Sequence, residues 1–152
     1  TGVYNRTAYA DYIGKEDFSP DKVIVAMFDL NNLKKCNDGF GHHQGDIYIT
    51  TCAKLIAEQF SDIGNCYRIG GDEFCVLMQG VSLEMCKNRV ATLYKKVEKE
   101  NEKKLIDVKM EIACGYVLYD KRIDYDIQDT VRRADKIMYK EKYVMKHGEA
   151  KE

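Results

Sequence analysis

The sequence is short of several things, and each shortage narrows what the chain can be. Among its 152 residues there is one proline, Pro20, and no low-complexity or repeated segment, so extended Pro-rich and solenoid architectures are excluded. It has three histidines and no Cys-x-x-Cys pair, so no zinc site is expected. No apolar run approaches the length that spans a bilayer, and no signal peptide is visible. Charge of one sign is also lacking. The formal net charge is −1, so no global positive field attracts a nucleic acid polymer. Any anionic ligand must be held by local groups.

What is present suits one soluble domain covering residues 1–152, long enough to bury a core without staples. The six cysteines are Cys36, Cys52, Cys66, Cys75, Cys86 and Cys114. Several lie within apolar patterns, where free Cys acts as a small hydrophobe. A reduced, cytoplasmic setting is the simplest reading, with a disulfide scaffold the weaker alternative. The chain starts at Thr1 without a Met. It is therefore read as a domain excised from a longer protein, leaving open a membrane anchor elsewhere in the parent.

Periodicity predicts the elements. Residues 5–15 form a short helix capped by Asn5. Residues 23–28 are a continuous β-branched run, read as a strand buried on both faces and ending at Asp29. A helical turn or two follows from Asn31 to Cys36. Gly39, Gly41 and Gly45 then make a loop, and a longer helix starts at Asp46. Gly70-Gly71 joins two strands as a hairpin. Residues 82–101 form an amphipathic helix with Ser82 as its cap and Leu83, Cys86, Val90, Leu93 and Val97 facing inward. Residues 108–119 form one strand, and a helix begins near Asp126 and ends near Tyr143. The fold class is α+β: a ferredoxin-like β-α-β-β-α-β core with helices flanking an antiparallel-containing sheet.

Chemistry gathers where strands end. Asp29 closes one buried strand, while Asp72 and Glu73 open another at the stretch Arg68-Ile69-Gly70-Gly71-Asp72-Glu73-Phe74. In this topology the two strands are central neighbours, so the carboxylates can meet at one sheet edge. Clustered oxygens suit a hard cation that also binds substrate phosphates. Taken singly, Asp29 reads as a helix cap and Asp72 as turn filler; together the three acids favour a site. A helix opening at Asn31-Asn32-Leu33 offers free N–H groups to an anion, with Lys34 beside it. Lys142 and Lys146 lie one turn apart on the last helix. Asn37 and Asp46 flank the glycine loop. An amide and a carboxylate can read a guanine edge, but a turn at Asn37-Asp38-Gly39 and an N-cap at Asp46 explain them as well. On the residues alone that choice stays open.

The stretch at 68–74 resembles the signature of GGDEF-domain diguanylate cyclases, and four further blocks match in the family's order. These are Thr1-Gly2-Val3-Tyr4-Asn5-Arg6, the segment from Asp29 to Asp38, Gly41-His42-His43-Gln44-Gly45-Asp46, and Ala134-Asp135 through Tyr139 to Lys142. The resemblance implies a fold like nucleotidyl cyclase catalytic domains. It also implies condensation of two GTP into cyclic di-GMP and two pyrophosphates within a two-fold dimer. By resemblance, Asp29, the Leu30 carbonyl, Asp72 and Glu73 hold Mg²⁺, or Mn²⁺ in its place. Asp72 accepts the proton of the attacking 3′-hydroxyl, Glu73 supports the metal site and Lys34 steadies the transition state. Asn37 and Asp46 read guanine, Gly70 and Gly71 let the nucleotide approach the backbone, and Lys142 and Lys146 hold phosphate. An N-terminal sensory or dimerisation domain is expected in the parent. The alternative is a catalytically weak GTP-binding module that regulates a partner domain.

The chain departs from the family's pattern in places. Ser61-Asp62-Ile63-Gly64 stands where many members carry an R-x-x-D product-inhibition motif, so strong feedback through that site is not expected. Asn31 replaces the second acid of a frequent D-x-D. Lys146 stands where the family often has Arg, a point charge in place of a fork. Ala113-Cys114-Gly115 stands where S-x-G is common and carries no functional weight in this reading.

Overall fold

A computed structural model describes residues 3–148. Its elements are α1 (Arg6–Ile13), β1 (Val23–Leu30), α2 (Leu33–Phe40), α3 (His42–Phe60), β2 (Gly64–Arg68), β3 (Glu73–Gln79), α4 (Leu83–Glu102), β4 (Ile112–Leu118) and α5 (Ile127–His147). The four strands form one sheet in the order β2-β3-β1-β4, with every neighbouring pair antiparallel. This is the ferredoxin-like order, and β1 and β3 are its central pair, as the sequence predicts.

All eight residues of β1 are buried because both faces of the sheet are covered. Strand side chains alternate between faces. Ile24, Ala26, Phe28 and Leu30 pack in one core with Ile56 and Phe60 of α3 and Leu93 of α4. Val23, Val25 and Met27 pack in the other with Ala134 and Met138 of α5. The same alternation puts Asp29 on the α5 face. All six cysteines are buried and free.

Side-chain caps fix helix starts at the expected places. Asn5 accepts from the Ala8 N–H, Ser82 from Met85 and Asp126 from Asp129. Elsewhere the structure corrects the sequence reading. Strand β1 runs past Asp29 to Leu30. The expected loop at residues 38–46 is mostly helix: α2 continues through Gly39 to Phe40, and α3 begins at His42. A glycine weakens a helix by about 1 kcal/mol without ending it. Only Gly41, at φ 89°, makes the break. Asp46 is therefore not an N-cap, and Asn37-Asp38-Gly39 is not a turn.

Strand β4 is shorter than expected, because β1 ends at Leu30 opposite Ile112. The backbone of Met110, two residues before, is satisfied otherwise. The Asn101 side chain donates to the Met110 carbonyl and accepts from its N–H, both at 2.8 Å. Leu83, expected to face inward, is 43% exposed at the first position of α4. Neither Gly70 nor Gly71 has a positive φ, so the hairpin does not need glycine for its torsions. Helix α5 extends to His147, a full turn beyond the expected end.

Candidate active site

The site is at the end of the sheet where β1 stops and β3 starts. Asp29 and Glu73 are direct cross-strand partners, and both side chains belong to the α5 face by strand alternation. The Leu30 N–H donates to the Asp72 carbonyl at 2.9 Å, which ties the hairpin tip to the end of β1. Helix α5 crosses this face and brings Lys142 to Asp29, with Nζ 3.3 Å from Oδ2.

The acids crowd one another here. Burial and then the nearby Asp72 charge push the Asp29 carboxyl above its ordinary range, against the opposing pull of Lys142. Burial and then Asp135 push Glu73 up, with Asp29 and Asp72 adding to the effect. Asp29 Oδ1 is buried without a hydrogen-bond partner, and a buried carboxylate oxygen left so is costly. Hard oxygen donors around an orphaned anionic atom fit a divalent cation. The described residues hold no cluster of three or more His, Cys, Asp or Glu able to enclose one. An ion here must complete its shell with the Leu30 carbonyl, water or substrate oxygens, as Mg²⁺ commonly does.

Beside the acids lies a cleft of about 690 Å³ lined by Leu30, Asn32, Lys34, Lys35, Asp38, Asp72, Lys142 and Lys146. That volume suits one small ligand. Helix α2 opens onto it. Its N-cap, Asn32, takes a left-handed conformation at φ 65° and makes no side-chain cap, so first-turn N–H groups stay free for an anion. Four lysines on one cleft give a phosphate-sized anion its countercharge.

The structure thus brings Leu30, Lys34, Asp72, Lys142 and Lys146 into one cleft and sets Asp29 against it through Lys142. Glu73, Gly70 and Gly71 do not line the cleft, and neither do Asn37 and Asp46. Those last two lie at the α2–α3 junction, where Asn37 packs against Gly45, the residue before Asp46. Thr1 and Gly2 of the opening motif lie outside the described residues.

Sequence reasoning missed two supports. Tyr48 reads as part of the apolar face of α3. Its ring is fully buried, but its hydroxyl donates toward the Asn31 carbonyl at 2.7 Å, with the Glu111 carbonyl also within reach at 2.9 Å. It also accepts from the Glu111 N–H at 2.8 Å. This ties α3 to the backbone just beyond Asp29. The signal available was chemical: a buried tyrosine needs a partner for its hydroxyl. The second is Gly115, where a Cβ would come within 2.3 Å of the Ala134 carbonyl oxygen and the Met138 nitrogen. The bare strand lets α5, and with it Lys142, sit close on the sheet.

Comparison with known proteins agrees with this geometry. The family model described as "Diguanylate cyclase, GGDEF domain" matches residues 1–147. A protein of Escherichia coli (strain K12) named "Probable diguanylate cyclase DgcJ" is 27% identical over 143 residues, 91% of this chain and 28% of its own length. A diguanylate cyclase of Vibrio cholerae is 31% identical over 115 residues, 75% of this chain and 35% of its own. The chain thus spans about a third of the length of these relatives. Among solved structures, the GGDEF domain of DgcB from Caulobacter crescentus, in complex with c-di-GMP, superposes with a TM-score of 0.80. That match has 18% identity and covers 97% of this chain and 88% of the other, a likeness of fold. With its sheet order, acidic hairpin tip and nearly full-length family match, the chain belongs to the GGDEF family of diguanylate cyclase domains.

Proposed function

We propose that this domain is a diguanylate cyclase that condenses two GTP molecules into cyclic di-GMP and two pyrophosphates. The observation that carries the reading is the junction of the lysine-lined cleft with the carboxylates of Asp29 and Asp72. Family membership implies a divalent-metal-dependent reaction in general. Mg²⁺, or Mn²⁺, is the ion proposed, held by Asp29, Asp72 and the Leu30 carbonyl with support from Glu73. When bound, it supplies charge neutralisation at the α-phosphate and makes the 3′-hydroxyl more acidic.

The chain's own groups do the rest. Lys34 and the N-terminus of α2 hold the triphosphate, and Lys142 and Lys146 hold its outer phosphates. Lys142 exchanges its contact with Asp29 for phosphate when nucleotide enters. Asn37 and Asp46 read the base, and Gly70 and Gly71 keep the hairpin tip free of side chains. Asp72 takes the proton of the 3′-hydroxyl as its oxygen bonds to the α-phosphorus of a second GTP. The bond from that phosphorus to the leaving pyrophosphate breaks. Repetition in the opposite sense closes the ring. Most of the rate gain comes from positioning and charge neutralisation.

One cleft holds one GTP, so two copies must face each other, an isologous arrangement. The decisive experiment incubates an artificially dimerised domain with GTP and Mg²⁺ and separates the nucleotides. Cyclic di-GMP is expected, and Asp72→Ala should abolish it while the domain stays folded. GTP binding without product would leave the regulatory-module reading in its place. A mixed GTP and ATP incubation giving mainly a hybrid dinucleotide would overturn the assignment of Asp46 to guanine.

A further inference from the structure

The two glycines of the α2–α3 junction answer to different physics. Gly41 has a φ of 89°, and a Cβ there would meet nothing within 4 Å; it is needed for its torsion. Gly45 is the reverse. It is buried inside α3 with an ordinary helical φ, a place where glycine costs about 1 kcal/mol relative to alanine. What it supplies is space. A Cβ at Gly45 would lie 1.7 Å from Asn37 Oδ1, 2.8 Å from its Cγ and 3.4 Å from its Nδ2. The Asn37 amide therefore meets the bare Cα of Gly45 oxygen-first, with its amino nitrogen farther away. Among the described residues that amide makes no side-chain hydrogen bond, so contact with Gly45 is what orients it.

The chemistry of the pair fits one base. The amino group is a donor, and the carboxylate of Asp46, one residue on, is an acceptor. Guanine offers the complement: acceptors at O6 and N7, donors at N1–H and the 2-amino group. Adenine lacks the 2-amino group and has an acceptor at N1, so it meets the carboxylate badly. A site built on such polar pairing discriminates strongly only while each group is held in place.

We propose that Gly45 is a positioning residue for base selection, the seat that holds the Asn37 amide toward guanine. This deepens the reading of the α2–α3 junction as the base site and rests on it. Any side chain at position 45 displaces Asn37. The displaced atoms are the free end of a flexible side chain, so the amide swings away and the fold survives.

The test compares Gly45→Ala, Asn37→Ala and the double variant. Calorimetry measures affinity for 3′-deoxy-GTP and 3′-deoxy-ATP, which lack the nucleophile and cannot turn over, and for inorganic tripolyphosphate. Losing one well-placed polar contact should cost about tenfold in guanine preference. Gly45→Ala is expected to lose that preference, bind tripolyphosphate normally and melt no lower than the parent, since alanine favours helix. Adding Gly45→Ala to Asn37→Ala should change nothing further. Retained guanine preference in Gly45→Ala would overturn the inference. So would a parallel fall in tripolyphosphate affinity and melting temperature, which marks general packing damage. Unaltered preference in Asn37→Ala would remove the route through that amide. If the parent domain itself prefers neither nucleotide, the base-site reading fails first, and the inference with it.

Discussion

Two aspartates show how differently one residue type is used at the two ends of this sheet. Asp29 lies directly opposite Glu73, and like charges in that relation destabilise a sheet by up to about 1 kcal/mol. Its carboxyl is held above the ordinary range, chiefly by burial. With a folded value raised above the unfolded one, this group favours folding only below its ordinary range. The contribution is lost as pH rises through the folded value, so at neutral pH the ionised acid is a cost. Asp29→Asn should therefore melt higher than the parent at neutral pH, with the advantage narrowing as the solution is acidified. A lower melting temperature would contradict the account. Asp124 is the opposite case. Its side chain, 1% exposed, accepts from Arg133 at 2.6 and 2.8 Å, from the Thr130 hydroxyl at 3.0 Å and from the Asp120 N–H at 3.0 Å. The Arg133 hydrogen bonds are the main reason its pKa falls from 3.8 to about 2. Its stabilising effect is present above the unfolded value and disappears as pH falls through about 2. The shift corresponds to about 2 kcal/mol. Urea denaturation at neutral pH should show Asp124→Asn less stable by about that amount, with the gap closing between pH 4 and pH 2.

At the scale of elements, the legible features were those set by local rules. Caps at Asn5 and Ser82, the helix start near Asp126, the unbroken apolar run of β1 and the order of the described elements could be read from the sequence, because each depends on neighbours in the chain. What could not be read depends on partners far away. Residues 108–111 look like strand, but Asn101 and Tyr48 take backbone groups of Met110 and Glu111, and β1 ends opposite Ile112. Leu83 fits an inward helical stripe, but it stands at the open end of α4. The carboxylate cluster was legible from Asp29, Asp72 and Glu73 at strand ends, whereas the Lys142 contact required knowing that α5 covers the odd-numbered face of β1. Gly115 belongs here too, since its requirement comes from α5. Its missing side chain would strike backbone atoms of residues 134 and 138, which cannot swing aside as the Asn37 amide can. Gly115→Ala should lift α5 and cost about 3 kcal/mol, at the upper end of ordinary overpacking. Denaturant midpoints would measure it. A loss below about 0.5 kcal/mol, within the range of a neutral surface change, would mean the helix is less closely seated.

For the molecule as a whole, the proposed reaction carries a dependence on a second copy. Asp72, four lysines and the free end of α2 border one cleft at one end of the sheet, with Asp29 set against it through Lys142. In the reaction proposed here, ring closure needs a second 3′-hydroxyl presented reciprocally to the α-phosphate, and this cleft among the described residues accommodates one nucleotide. The reaction proposed for this domain should therefore be limited by encounter. While most of the protein is monomeric, doubling its concentration at saturating GTP should raise the rate about fourfold, because the dimer population follows the square of the monomer. At concentrations where dimers predominate, or in a tethered dimer, the rate should become linear in protein. Product should not suppress this strongly through residues 61–64, between α3 and the start of β2. Asp62, the nearby acid, is engaged by Arg89 at 2.7 and 3.0 Å, and Ser61 and Gly64 supply neither residue of the R-x-x-D pattern. Initial-rate assays across a wide protein range, with and without added cyclic di-GMP, test both statements. A rate linear in protein at every dilution would show that one copy suffices and would end the face-to-face mechanism, while inhibition by sub-micromolar cyclic di-GMP would show that this chain carries a product site built from other residues.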